Sequence, residues 1–320
     1  MVFGRIGVLM GGPSAERPIS FQSGTAVCEA LRSRGHDVAA VEIPQDVTGV
    51  EALLAAARLD VAFIALHGTF GEDGAIQAIL ERLGILYTGS GILASRCGMN
   101  KQAARQRFAA EGITTPPVVV LSPTHRRHGT PAERIAAKFP YPVVVKPCSQ
   151  GSSVGMSLVA RAADLDAAVE AAAAYDETVL VEAHIRGREM TVGILEEEAL
   201  PVIEVVPSHA YFDYEAKYQP GLTAYHVPAA LPEVVARRCQ EAALRAHRAI
   251  QARHVSRVDL ILDAHEAPVV LEINTIPGFT AMSLLPKAAR VAGIEFPMLC
   301  ECIIAAALRD VSTVRAGGRA

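Results

Sequence analysis

Two apolar runs near the C-terminus carry residues that could do chemistry. Arg257-Val-Asp259 leads into Leu260-Ile261-Leu262, and Val269-Val270-Leu271 leads into Glu272-Ile273-Asn274. Both read as strands, in which side chains at i and i+2 share a face, so Glu272 and Asn274 point the same way. A carboxylate in an apolar strand is costly unless it is paired or binds a metal. Oxygen donors on neighbouring strands (Asp259, Glu272, Asn274), without His or Cys, suit Mg²⁺, whose shell is completed by waters and phosphates. This combination points to ATP chemistry. The plainer alternative is an Arg257–Asp259 salt bridge at a sheet edge, with Glu272 at a solvated strand end.

A second candidate is the stretch Lys146-Pro147-Cys148-Ser149-Gln150-Gly151-Ser152-Ser153-Val154-Gly155. Small residues let backbone N–H groups approach phosphate oxygens, and the Ser152 and Ser153 hydroxyls add donors. Lys146 can place a point charge on a phosphate. It is not a Walker A loop, because the lysine precedes the glycines. A plain hairpin has the same composition. Glu182 ends the apolar run Val179-Leu180-Val181, where it could hydrogen-bond an adenine amino group or ribose hydroxyls, or simply end a strand in solvent.

These residues need a scaffold. Over the first hundred residues strand and helix alternate: strands at 5–10, 38–42 and 61–66, helices at 20–33, 50–57 and 74–83. That rhythm implies a parallel sheet covered by helices, with functional loops beyond the strands' carboxyl ends. Gly11-Gly12-Pro13-Ser14-Ala15-Glu16 and His67-Gly68 occupy those ends. His67 could equally be a strand-end histidine with one hydrogen bond. A second section begins near Asn100-Lys101, with a helix at 102–110, strands at 141–146, 156–159 and 178–182, and a helix at 162–174. A third begins near Gly187, with strands at 189–195 and 201–206, a connection at 207–228, a helix at 232–252, the two strands above and C-terminal helices. A connection of that length is usually either functional or disordered, and its tyrosines with little glycine favour an ordered lid over a linker. Domains are therefore expected at 1–100, 101–186 and 187–312, with a tail at 313–320.

The chain has 320 residues, 51% hydrophobic and 20% charged, with net charge −4. Sizeable cores are possible and disorder is disfavoured. Lys and Arg are scattered, which argues against nucleic acid as a partner. No run approaches a membrane span, and the apolar run at the start is too short for a signal peptide. Six cysteines without a CxxC pair fit a reduced, cytoplasmic protein.

Taken together, several stretches resemble the D-alanine–D-alanine ligases of the ATP-grasp superfamily. They are Gly11–Arg17, Leu66-His67-Gly68, Gly71-Glu72-Asp73-Gly74, Tyr87-Thr88-Gly89-Ser90-Gly91, Lys146-Pro147, the 151–156 loop, Tyr214-Glu215-Ala216-Lys217-Tyr218, Arg257-Val258-Asp259, the 272–278 stretch and Ser283-Leu284-Leu285-Pro286. They run in family order over nearly the whole chain. The fold implied is α/β and α+β, a three-domain ATP-grasp architecture with an N-terminal parallel-sheet domain. The implied reaction phosphorylates one D-alanine with ATP, and the amine of a second D-alanine then attacks the acyl phosphate, supplying peptidoglycan synthesis.

The resemblance also implies roles. Asp259, Glu272 and Asn274 look like ligands of a pair of Mg²⁺ ions, which Mn²⁺ can replace. Lys101, Lys146, Ser153 and Lys217 look like phosphate contacts, and Glu182 and Glu189 like adenine- and ribose-side acids. Arg257 and the Gly278 N–H resemble the oxyanion contacts. Glu16 would hold the first D-alanine's ammonium with His67 beside it, and Ser283 and Leu284 the second carboxylate. Glu16, Ser152 and Tyr218 resemble the trio that ties the lid down, although Tyr218 could merely pack on the core. A homodimer is implied as well. Relatives that make D-alanyl-D-lactate carry a histidine in the lid, where this chain has Tyr218; His226 reads as incidental. Pro18, Ala183 and His184 depart from the family pattern. Two competitors are another ATP-grasp carboxylate–amine ligase and a nucleotide-binding protein without catalysis. The second would not need Arg257, Asp259, Glu272 and Asn274 together.

Overall fold

The computed structural model describes residues 3–122, 135, 138–207 and 223–317, with side chains described as far as Asp310. Lys217, Tyr218 and most of the expected lid lie outside the described residues. Three sheets organise the rest. The first holds β1 (Arg5–Gly11), β2 (Asp37–Ile43), β3 (Val61–Ile64) and β4 (Leu86–Tyr87), in the order β2-β1-β3-β4. Every pairing in it is parallel. Helices α1 (Arg17–Ser33), α2 (Val50–Ala57) and α3 (Ala75–Leu83) connect these strands. β1 is buried from Ile6 to Gly11, which requires cover on both faces. The last helix supplies part of that cover through Leu299, Cys300, Ile303 and Ile304, which join the core around Ile6, Val8 and Phe63. Their i, i+4 spacing makes one apolar stripe.

The central sheet is antiparallel throughout: β5 (Val118–Leu121), β6 (Val143–Pro147), β7 (Ser157–Val159) and β8 (Val179–Ala183), in the order β5-β8-β6-β7. Helix α6 (Leu165–Ala173) buries Leu165, Ala168, Val169 and Ala172 against Val143, Val145, Val179 and Val181. Before it in the chain come α4 (Ile92–Met99) and α5 (Lys101–Ala110).

The third sheet comprises β9 (Gly187–Leu195), β10 (Glu198–Ala199), β11 (Ile203–Pro207), β12 (Thr223–His226), β13 (Val255–Asp263) and β14 (Pro268–Asn274). Its order is β12-β11-β9-β13-β14, with β10 beside β9. Along β13, Val258, Leu260 and Leu262 are buried, whereas Arg257, Asp259 and Ile261 are only partly covered. The buried set faces α7 (Glu233–Ala249) through Val235, Cys239, Ala243 and Ala246. Ala104 and Phe108 of α5 join the same core. The partly covered set faces the opposite way. The chain ends in α8 (Leu284–Val291) and α9 (Phe296–Gly317).

Several expected boundaries move. α1 starts at Arg17 rather than at 20, because Pro18 sits in its first turn, where no backbone donor is needed. The strand expected over 61–66 ends at Ile64. The connection expected over 207–228 contains β12, paired with β11 from Glu204↔His226 to Pro207↔Thr223. Besides β12, four elements were not expected from the sequence: the two-residue strands β4 and β10, and α4 and β5. α4, with the sequence ILASRCGM, has little periodic signal, and β5 is a short run that follows two prolines.

Candidate active site

The chemistry-bearing residues near the C-terminus meet because β13 is central, with β9 on one side and β14 on the other. The register pairs Arg257 with Asn274 and Asp259 with Glu272. Across β9 it pairs Arg257 with Gly193, Asp259 with Thr191 and Ile261 with Glu189. Directly opposed residues share a face, so Glu189, Thr191, Arg257, Asp259, Glu272 and Asn274 form one polar surface on the side away from α7. The sequence alternative of an edge salt bridge is half right. Arg257 Nη2 does lie 2.7 Å from Asp259 Oδ2, but on a central strand. Thr191 Oγ1 donates to Asp259 Oδ1 at 2.6 Å.

The central sheet faces this surface across a cavity of about 560 Å³, lined among others by Lys101, Lys146, Ser153, Glu182, Glu189 and Asp259. That size lies within the ordinary range for small-molecule sites. Lys146 and Glu182 come from neighbouring β6 and β8, and Lys146 Nζ is 2.9 Å from Glu182 Oε2. Glu182 is only 3% exposed, so it is not a solvated strand end. His184 also lines the cavity. Burial lowers the pKa of its imidazole, with the Arg186 charge adding to the effect, and its Nδ1 has no hydrogen-bond partner among the described residues. Between β6 and β7 the glycine- and serine-rich loop turns through left-handed conformations at Ser152, φ 50°, and Ser153, φ 58°. Asn100 caps α5 by accepting from the Ala103 N–H at 2.9 Å. The helix start is tied to the loop by Lys101 N–H to the Cys148 carbonyl at 3.0 Å.

A second cavity of about 320 Å³ lies where the first sheet's carboxyl ends meet β14 and α8. The loops after β1 and β3 flank the point where strand order changes direction, the usual ligand position in such sheets. They bring Glu16, His67 and Glu72 to the cavity, opposite Arg257, Gly278, Ser283 and Leu284. Ser152 Oγ donates to Glu16 Oε1. His67 is buried, with Nε2 2.9 Å from Ser23 Oγ and Nδ1 3.7 Å from Glu72 Oε1. Burial pushes the Glu72 carboxyl above its ordinary range; the His67 imidazole opposes this and the Glu16 charge adds to it. Gly68 must stay small, since a Cβ there would lie 2.3 Å from Ser14 Oγ and 2.8 Å from Glu16 Oε2. Ser283 precedes α8 but does not cap it. Its hydroxyl instead meets Thr280 Oγ1 at 2.9 Å.

The two cavities share Lys101, Gln150 and Glu272. Lys101 Nζ donates to the Gln150 carbonyl at 2.6 Å and lies 3.4 Å from Glu272 Oε2. Every expected site residue that the structure describes therefore lines one cavity or the other. Glu72, Gln150, Thr191, Arg105 and Tyr225 had not been singled out. Glu72 stands in a quoted motif, so a signal existed. Thr191 and Arg105 become visible only through their tertiary partners. His226, expected to be incidental, binds Glu204 Oε2 through Nδ1 at 3.2 Å.

A parallel-sheet unit, an antiparallel sheet carrying a phosphate-type loop, and a third sheet with acids on its open face make up an ATP-grasp enzyme. The comparisons narrow the class. Residues 46–90 match the family model described as D-ala D-ala ligase N-terminus, and residues 108–305 match D-ala D-ala ligase C-terminus. The D-alanine–D-alanine ligase of Geotalea uraniireducens is 47% identical, over 96% of this chain and 97% of that protein. The enzyme of the same name from Desulforudis audaxviator is also 47% identical, over 94% and 97%. Among solved structures, the D-alanine–D-alanine ligase of Bacillus anthracis aligns with a TM-score of 0.85 and 35% identity, covering 96% of this chain and 98% of that one. VanG D-Ala:D-Ser ligase from Enterococcus faecalis aligns at 0.83 with 28% identity, covering 95% and 99%. The chain belongs to the D-alanine–D-alanine ligase family.

Proposed function

We propose that the chain joins two D-alanine molecules into D-alanyl-D-alanine, with cleavage of ATP to ADP and phosphate, in the supply of peptidoglycan precursors. The observation that carries this reading is the pair of cavities meeting at Lys101, Gln150 and Glu272. A nucleotide-sized space adjoins an amino-acid-sized one, with one cation and one acid at the junction. In this reading the chain comprises an N-terminal substrate domain at 1–100, a central ATP-grasp domain at 101–186 and a catalytic domain at 187–312.

A carboxylate is a poor acyl donor, so one of its oxygens must first become part of a leaving group. In the first step an oxygen of the first D-alanine's carboxylate attacks the γ-phosphorus, and the bond to ADP breaks. Such transfers depend on charge neutralisation and alignment more than on covalent help. Lys101, Lys146, Lys217 and the backbone and hydroxyl of Ser153 serve the phosphates, while Glu182 and Glu189 serve the base and ribose side. Glu16 holds the first ammonium, with His67 alongside. The second D-alanine places its carboxylate at the Ser283 hydroxyl and the Leu284 N–H, at a helix N-terminus that favours anions. Its ammonium must lose a proton before the nitrogen attacks the acyl carbonyl. The C–N bond forms, the developing oxyanion meets Arg257 and the Gly278 N–H, and phosphate leaves with the former carboxylate oxygen. Glu16, Ser152 and Tyr218 close the lid, which keeps water from the acyl phosphate.

Asp259, Glu272 and Asn274 would hold Mg²⁺. The fit rests on the donor set: Asp259 faces Glu272 across the ladder, and Asn274 lies two residues from Glu272 on the same face of β14. A cation here needs water and phosphate oxygens to complete its shell, as Mg²⁺ prefers. When bound, it neutralises charge on the transferring phosphoryl group. The same reading carries a pair of ions, acceptance of Mn²⁺, homodimeric assembly and a cytoplasmic location. The six free cysteines agree with a reducing compartment, and among the described residues no single helix is long and apolar enough to cross a membrane.

Phosphate release from ATP with D-alanine, L-alanine or D-lactate offered in turn tests the reaction. Release is expected with D-alanine alone. Equal rates with L-alanine, or none with any of the three, would overturn it.

A further inference from the structure

The buried carboxylate of Glu182 has two cations. Arg105 Nη1 lies 3.0 Å from Oε1 and Lys146 Nζ lies 2.9 Å from Oε2. The side chains of Arg105, Glu182 and Lys146 are 8%, 3% and 10% exposed. Arg105 also donates to the Pro116 carbonyl, which anchors its planar head. Its helix, α5, packs into the core of the third sheet, whereas Glu182 belongs to the central sheet. The ion pair therefore joins the two sheets that wall the larger cavity. Lys146 and Glu182 line that cavity, and Arg105 is not among its lining residues.

One carboxylate neutralises one charge, so this cluster carries a surplus cation. The two cations differ in kind. A guanidinium gripping a carboxylate and a carbonyl is fixed in place, whereas an ammonium on a flexible stem can change partner. We propose that Arg105 is a positioning residue for nucleotide binding: it is the permanent counter-ion of Glu182 and so releases Lys146 to the ATP phosphates. This rests on the reading of the larger cavity as the ATP site. Without Arg105, a Lys146 that moved to phosphate would leave a buried carboxylate unpaired, which is strongly unfavourable. Lys146 would then stay with Glu182 and ATP would bind weakly. Were Arg105 only a staple between α5 and the central sheet, its loss would lower stability but leave the ATP affinity of the folded protein unchanged.

The test is titration calorimetry of the full-length protein with the β,γ-imido analogue of ATP and Mg²⁺. The variants are Arg105→Met and Arg105→Lys, each alone and combined with Glu182→Gln, with folding checked by circular dichroism. Removing one partner of a buried pair predicts a loss of affinity of roughly tenfold or more in Arg105→Met. Arg105→Lys should recover much of it, and the KM for D-alanine should change by less than about threefold. In the Glu182→Gln background the same arginine change should cost less than about threefold, because no carboxylate remains to be paired. Affinity within about threefold of the parent in Arg105→Met, or an equal loss in both backgrounds, would overturn the proposal. If Arg105→Met does not fold, Arg105→Gln, which also removes the charge, decides the same question in both backgrounds. A parent that binds the analogue but makes no D-alanyl-D-alanine would defeat the proposed reaction and leave this test intact.

Discussion

Ser152 and Ser153 hold left-handed backbone conformations, which cost non-glycine residues free energy and concentrate at functional sites. The turn aims the Ser152 hydroxyl at Glu16 across the smaller cavity. Ser152→Ala should keep the strained turn and lose the bond. A hydrogen bond to a charged group contributes roughly 1.5–3 kcal/mol, so activity should fall by about ten- to a hundredfold. Wild-type turnover in a steady-state ADP-release assay would remove this contact from the mechanism. Asp259→Asn and Glu272→Gln should leave a folded protein with little ligase activity, since each removes a negative oxygen donor from the β13–β14 surface. Near-normal turnover of either at saturating Mg²⁺ would refute the metal assignment. Tyr218, outside the described residues, bears on product choice. A lid histidine can favour a hydroxy acid by repelling an ammonium and attracting a carboxylate. With Tyr218 in place, equimolar D-alanine and D-lactate should yield mainly the dipeptide at neutral pH. Chromatography showing mainly ester would mean that this residue does not set the choice.

At the scale of elements, β9 is the spine of the third sheet, paired with both β11 and β13. It begins at Gly187, where a Cβ would lie 2.2 Å from the Leu262 carbonyl oxygen. The obstacle is backbone, so a side chain there must push the β9–β13 ladder apart. Gly187 also lines the larger cavity. Gly187→Ala should cost about 1–3 kcal/mol, as overpacking usually does, with a lower urea midpoint and weaker ATP binding. A variant that unfolds at the parent's midpoint would contradict the close approach of these strands.

Across the whole molecule, buried histidines tie the sheets and helices together. His247 of α7 is 1% exposed, with Nδ1 2.7 Å from Ser256 Oγ on β13. Burial pushes its pKa down to about 4. The unfolded chain takes this proton near pH 6.5, the folded protein only near 4. The stabilisation is therefore fully present above pH 6.5 and is lost as pH falls toward 4, amounting to roughly 3 kcal/mol. His254 shifts in the same direction, chiefly through burial. It accepts from the Gly89 N–H at 3.1 Å and lies 2.9 Å from Asp310 of α9, so it joins the first sheet, the third sheet and the last helix. Urea unfolding at several pH values should show stability declining below pH 6.5. His247→Asn should be less stable at neutral pH and decline less steeply. An equal slope in the variant would assign the acid limb to other groups.

Much of this protein was determined by local sequence alone. Alternation of apolar runs with periodic helices is a short-range property, so the parallel first sheet and most elements were legible from it. The i, i+2 spacing of Glu272 and Asn274 placed them on one face without any knowledge of the fold. Boundaries near Pro18 and Ile64, and weakly patterned pieces such as α4 and β5, were less legible because their neighbours stabilise them more than their own residues do. The tertiary structure alone decided what lies opposite what. The β13–β14 and β13–β9 registers brought Asp259 to Glu272 and Thr191, residues 13 and 68 positions apart in the chain. It also buried Glu182 between Arg105 and Lys146, turning a possible solvated strand end into a charged cluster. The reason is physical: periodicity reports which face a side chain occupies, whereas the partner of a buried charge is set by packing between segments distant in sequence.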